Sequence, residues 1–393
     1  PGVSFFPPDF SAPVPKPDAR APRRAALHYA IQSFASAAGG IFMLVFLLKA
    51  GVPVPIALLY QAGIVGGRFL IRPAVLPLAV RFGVRPLLIA GTLLSAASYV
   101  LIGEITGPGW PLVAVCLFSS LGYLLYWLCF HAYFAALGDP DRRGGQVGLR
   151  EAIVAGVGVV APLLGAWGLT TLGGPVTFSL VALIMASAAL PLIGAPNVAV
   201  AREAPDNYRV PRTGLGLMIG DGFMAAGYHF TWLIALFLSL GESFAAFGGA
   251  AAVAALTGAV GGLVLGRAID AGQGRRAVIV AYAAVAIVLL MRAFSLGTPW
   301  LAVIANAAGG LIVALVTPVL MTPVYNLSKA SRCTTRFHIA TEGAWDLGCF
   351  AGCAGAAGLA ALGLPLSVPI LTALVAAAGL VVLLFRYYRQ AAA

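Results

Sequence analysis

Charge is scarce in this chain. Aspartate, glutamate, lysine and arginine make up 9% of 393 residues, while 61% are hydrophobic. Soluble domains carry about a quarter charged residues, so this shortage, with a mean hydropathy of +0.96, excludes a soluble globular fold. Acids are scarcest, 13 against 24 basic residues, for a net charge of +11. The basic residues are thinly spread over short loops, not gathered in a patch. That excludes nucleic-acid binding and reads as topology and contact with anionic lipid headgroups. The five cysteines, Cys116, Cys129, Cys333, Cys349 and Cys353, are odd in number and lie in or beside apolar segments, unlike a secreted disulfide framework. No G-x-x-x-x-G-K-[ST] loop is present to hold a nucleotide, and no HExxH or GxSxG arrangement points to an enzyme or a cofactor.

Long apolar runs take the place of charge. Twelve stretches, at 25–48, 54–80, 86–103, 110–136, 148–170, 175–194, 214–240, 243–267, 277–297, 299–325, 337–362 and 365–385, can each cross a hydrocarbon layer roughly 30 Å thick as a helix. Arginine and lysine occupy every second gap: Arg81 and Arg85; Arg142 and Arg143; Arg202, Arg209 and Arg212; Arg275 and Arg276; Lys329, Arg332 and Arg336. The alternate gaps hold only Lys49. Positive loops stay on the cytoplasmic side, so the pattern predicts a multi-pass protein of the inner membrane with both termini cytoplasmic. Residues 1–24 are proline-rich and lack the apolar core of a signal peptide, which predicts a disordered cytoplasmic tail.

An internal repeat underlies this layout. Gly83-Val84-Arg85 aligns with Gly274-Arg275-Arg276 at an offset of 191, Tyr133 with Tyr325 at 192, and Arg150-Glu151 with Thr341-Glu342 at 191. The expected organisation is a half at 25–194, a cytoplasmic linker at 195–213, a half at 214–386 and a short tail at 387–393. Two parallel six-helix halves joined by a polar linker is similar to the layout of the major facilitator superfamily of transporters. The loop from Gly266 to Arg276 resembles that family's signature: a glycine, three residues, Asp270, then Gly274 and paired arginines. The basic pair comes one residue late, Ala271 stands where a basic residue is common, and Ala79 replaces the aspartate in the first half.

The resemblance covers the chain from residue 25 onward and leaves the subfamily open. It implies an all-α fold of twelve helices and a monomer that needs no cofactor and works among membrane lipids. It also implies transport of a small organic solute, anionic or amphiphilic, by alternating access with proton coupling, through a cavity lined by the first, fourth, seventh and tenth helices. Asp270, Arg275 and Arg276 would form a cytoplasmic latch, with Glu151 and Glu342 as matching gate acids that meet loop arginines and Arg150 beside Glu151 in the same gate; the alternative is that the loop arginines only set topology.

Ionisable residues inside a span are expensive and usually functional. Arg68 and Arg72 share one face of the second helix; they either bind an anionic substrate or form a structural pair satisfied by carbonyls or by an acid such as Asp221. Asp221, in a largely apolar helix, is the candidate proton site, or else makes a static interhelical hydrogen bond. Arg292 and Glu104 fall near helix ends, where rim exposure is expected. Tyr123, Trp127 and His131 of the fourth span, Tyr228, His229 and Trp232 of the seventh, and Asn306, Tyr325 and Asn326 of the tenth are candidate substrate contacts, or plain packing. Pro318 and Pro323 are expected to interrupt the tenth helix. His338, Glu342, Asp346, Cys349 and Cys353 form one stripe on the eleventh, read either as a gate meeting loop arginines or as ligands for a divalent metal. The rival from another class is a non-transporting assembly factor with the transporter fold.

Overall fold

A computed structural model describes residues 21–137, 143–200, 210–269, 274–331 and 334–390. These residues form twelve helices long and apolar enough to span a membrane. We number them α1 (Ala21–Lys49), α2 (Val54–Phe82), α3 (Val84–Gly103), α4 (Trp110–Leu137), α5 (Arg143–Thr171), α6 (Gly174–Leu192), α7 (Arg212–Ser239), α8 (Phe244–Ile269), α9 (Gly274–Phe294), α10 (Pro299–Ala330), α11 (Thr334–Ala361) and α12 (Ser367–Gln390). No strand occurs among the described residues. Long apolar runs take this form because within lipid every backbone amide must be satisfied by the protein, and a helix does so within a single segment.

Helix starts repeat with the sequence. Ala21 and Arg212 open α1 and α7, and Arg143 and Thr334 open α5 and α11, each pair 191 residues apart. Packing repeats too: α1 lies on α5 as α7 lies on α11, and α3 lies on α6 as α9 lies on α12. The halves meet along two lateral seams that exchange under the repeat, α2 against α11 and α5 against α8. A further contact joins α1 to α7 towards the ends remote from the chain's termini.

The first helix of each half is irregular at nearly equivalent places. In α1, a 3₁₀ turn at Gly40–Phe42 separates Ala21–Ala38 from Met43–Lys49. In α7, a π-helical turn at Ala226–Thr231 separates Arg212–Ala225 from Trp232–Ser239. The α10 helix, by contrast, runs unbroken through Pro318 and Pro323, against expectation; neighbouring helices let a membrane helix tolerate internal proline.

Part of the linker is tied down, not free. Val84 N–H donates to Val198 O at 2.9 Å, and the Asn197 side chain accepts from Arg85 N–H (3.1 Å) and donates to Phe82 O (3.0 Å). Arg85 donates to Ala195 O, and Tyr133 Oη donates to Pro196 O at 2.9 Å. Residues 195–198 thus strap the α2–α3 turn, where Gly83 takes φ 80.

Candidate functional site

Arg68 and Arg72 are one turn apart on α2, and Glu342 and Asp346 one turn apart on α11, so the pairs face each other across the seam. Arg68 Nη2 lies 3.0 Å from Asp346 Oδ1, Arg72 Nη1 donates to Glu342 Oε2 at 2.9 Å, and Arg72 Nη2 donates to Asp346 Oδ2. The Asp346 side chain is 0% exposed and that of Arg72 4%. Two cations and two anions cancel in a region where a lone charge costs several kcal/mol. Two expectations need correcting. The acid opposite Arg68 is Asp346, not Asp221, and Glu342 and Asp346 meet intramembrane arginines, not loop arginines.

Asp221 is held from the same helix by a different group. Its Oδ2 accepts from Trp345 Nε1 at 2.8 Å, and the Arg68 guanidinium lies 5.9 Å from the centre of the Trp345 ring. Two glycines allow α7 and α11 to approach this closely. A Cβ on Gly222 would fall 2.1 Å from Trp345 O, and one on Gly348 would fall 2.0 Å from Ile219 O. One chain of contacts therefore runs from Asp221 through Trp345 to Arg68 and Asp346.

The second charged site centres on Arg292, which is 4% exposed instead of lying at the rim. Its guanidinium sits 4.2 Å from the Tyr228 ring centre and 4.9 Å from that of Trp232. Its Nη1 donates to the Tyr228 carbonyl inside the π turn, where Trp232 N–H is engaged by His229 O. Tyr228 Oη donates to Gly309 O at 2.9 Å, Trp232 Nε1 to Asn306 Oδ1 at 3.0 Å, and Asn306 Nδ2 to Ala250 O at 2.9 Å. Three of the candidate substrate contacts are thereby gathered around an arginine expected at the rim.

No family model and no curated protein matches this sequence. Solved structures do match. A mutant of the nucleoside transporter NupG aligns over 94% of this chain and 99% of its own, at 13% identity and a TM-score of 0.67. A bacterial homologue of the iron transporter ferroportin, in an inward-facing state, aligns over the same shares at 13% identity and a TM-score of 0.68. The chain has the major facilitator fold. It is a multi-pass membrane protein.

Within that fold the remaining candidates separate. Tyr123 Oη donates to Met43 Sδ at 3.4 Å, which ties α4 to the Met43–Lys49 segment of α1. Trp127 stacks on His131 with ring centres 5.6 Å apart, whereas Tyr126 and Phe130 are buried against His28 and Tyr29 of α1 as packing. His229 is exposed, with its ring edge on Phe230. Tyr325 faces the His338 ring at 6.0 Å, and Asn326 Nδ2 donates to Tyr387 Oη at 3.2 Å, towards α12. Arg275 and Arg276 are exposed at the start of α9, and Glu104 is exposed after α3. Asp270 and the side chains of Arg150 and Glu151 lie outside the described residues.

Among the described residues no three His, Cys, Asp or Glu side chains converge as metal ligands do. In the α11 stripe Glu342 and Asp346 hold arginines and His338 Nε2 lies 3.0 Å from Ser328 Oγ. Cys349 and Cys353, with Sγ atoms 3.9 Å apart, pack with Ala62, Val65 and Ala226 where the halves meet.

At the end remote from the termini, Lys49 Nζ lies 3.4 Å from Glu242 Oε2. Beneath it Phe42 of the first half packs edge-on against Phe244 and Phe247 of the second, at 6.3 and 5.5 Å, with Phe237 alongside. Phe42, Phe237 and Phe247 are all buried, so this aromatic plug joins the halves across their remote end.

Proposed function

We propose that the chain is a secondary active transporter that moves a small organic solute by alternating access, coupled to protons, in the inner membrane with its termini cytoplasmic. The observation that carries this reading is the run of contacts Asp221, Trp345, Arg68, Asp346. It spans the two halves and ends on a carboxylate in an apolar helix. Ionised Asp221 accepts a charge-assisted bond from Trp345. Protonation weakens that bond, releases the indole beside Arg68 and thereby loosens the seam between α2 and α11. Arg72, Glu342 and Asp346 act as the gate within the membrane; Asp270, Arg275, Arg276, Arg150 and Glu151 are the loop latch beyond it. Likeness to a nucleoside transporter and to an iron transporter's homologue supports solute movement. A metal route along His338, Glu342 and Asp346 is less well served, because both carboxylates are neutralised by guanidiniums.

The test is uptake into proteoliposomes across substrate classes, with and without a pH gradient. Asp221→Asn is expected to abolish gradient-driven accumulation while sparing exchange of solute down its own gradient. Accumulation retained in this variant would make Asp221 structural. If no solute moves, and Asp221, Arg68 and Arg72 are dispensable in the cell, the assembly-factor reading takes its place.

A further inference from the structure

Of the three largely buried guanidiniums in the spans, Arg68 and Arg72 are neutralised by Asp346 and Glu342, whereas Arg292 has no carboxylate partner among the described residues. Its Nε is buried and bonds to nothing. The surroundings are built for the group nonetheless. A Cβ on Gly309 would fall 2.0 Å from Arg292 Nη2, so α10 withdraws to admit the guanidinium. Two aromatic faces flank it, and each ring is pinned through its own donor, Tyr228 to Gly309 O and Trp232 to Asn306. The π turn presents the Tyr228 carbonyl, a distortion that recurs at functional sites.

Support of the first-helix break does not account for this arginine. The repeat places Leu101 at the position of Arg292, and the α1 break is filled by the Tyr99 ring, whose Oη would lie 3.0 Å from a Cβ on Gly40. The guanidinium belongs to the second half alone.

We propose that Arg292, flanked by Tyr228 and Trp232, is a binding site for the carboxylate of a small, flat organic anion. The proposal rests on the transporter reading and narrows its substrate class. A guanidinium edge matches a carboxylate bidentately. The Tyr228 and Trp232 rings beside the guanidinium favour a flat ligand, and the scarcity of further donors disfavours a dianionic phosphate. Phe237, five residues beyond Trp232 on α7, packs with Phe244 and Phe247 in the aromatic plug that joins the halves at this end of the helix. Parting of that plug admits the ligand.

Benzoate and its neutral counterpart benzamide are the probes, with binding read as the shift in thermal unfolding of the full chain in detergent, apart from any transport assay. Wild type is expected to bind benzoate about tenfold more tightly than benzamide, and Arg292→Lys, which keeps the charge and loses the fork, to lose most of that preference. Gly309→Ala crowds the guanidinium without removing it and is expected to weaken benzoate in the same way, which covers the case of a misfolded Arg292 variant. Arg68→Gln is expected to retain the preference. Equal response to both probes in wild type, an unaltered preference in Arg292→Lys, or a preference lost only with Arg68 would overturn the site. Benzoate preference without flux of any solute would sink the transporter reading and leave the site; flux indifferent to Arg292 would do the reverse.

Discussion

Glu242 holds in the second half the place that Gly51 holds in the first, 191 residues earlier, and both backbones are left-handed, at φ 55 and φ 83. The half with glycine takes this turn without strain. The other half keeps a side chain there at a cost of about 1 kcal/mol, and its carboxylate reaches Lys49 across the two halves.

Glu242→Gly is therefore expected to leave thermal stability unchanged or to raise it slightly. Relief of about 1 kcal/mol of backbone strain offsets loss of a half-exposed ion pair worth about 0–1 kcal/mol. The same change should raise labelling, by an impermeant thiol reagent, of a cysteine placed at Phe42. A clear fall in the unfolding midpoint, with labelling unaltered, would count against this account.

Asp346→Asn is expected to destabilise by about 3–5 kcal/mol, because it leaves two adjacent guanidiniums with one carboxylate between them. Replacing Arg68 by Met in the same chain should recover part of the loss. Chemical unfolding of the two variants decides it, and equal stability of the single and double variants would refute the coupling.

Gly222→Ala should cost a few kcal/mol, since the added methyl meets the Trp345 carbonyl, and backbone cannot yield as a side chain can. Gly355→Ala on α11, where a Cβ meets nothing within 4 Å, is the control and should be neutral. Similar unfolding midpoints for both would place the α7–α11 crossing elsewhere.

Asn197→Ala removes two bonds to backbone at an exposed site, a loss of about 1 kcal/mol. Its effect should be local: faster amide exchange at Val84 and Arg85, with α7 to α12 unaffected. Uniform exchange changes throughout the chain would contradict a strap confined to the first half.

The fold is legible in the sequence because its two signals are one-dimensional. Apolar length sets the twelve helices, and constant offset sets the halves, so Arg143 and Thr334 begin their helices where the repeat of Glu151 and Glu342 requires. The partners of the buried charges are not legible in the same way. Arg68 and Asp346 are 278 residues apart, and nothing in either helix's periodicity states which acid faces which arginine. Trp345 escapes notice because, one position from Asp346, it points off the stripe towards α7. Distance from the end of α9 puts Arg292 at the rim. That reckoning ignores the π turn of α7, which turns a carbonyl towards the guanidinium and makes burial tolerable. A glycine pair, Gly222 and Gly348, is the available sign that α7 and α11 cross beside Asp221.

The two lateral seams are related by the repeat and differ in kind. The repeat positions of Arg68 and Arg72 are Ala259 and Leu263, and that of Asp346 is Ala155. Where α5 meets α8, Gly248 lies against Ala166 and the Pro162 carbonyl, small uncharged groups in close contact. A close-packed apolar contact has no charge to strand when it shifts, whereas separating buried paired charges leaves each uncompensated. On the transporter reading, movement between the halves is therefore expected to be asymmetric: the uncharged edge would act as a bearing and the charged one as a catch, which gives a molecule built of two like halves a direction in which to open.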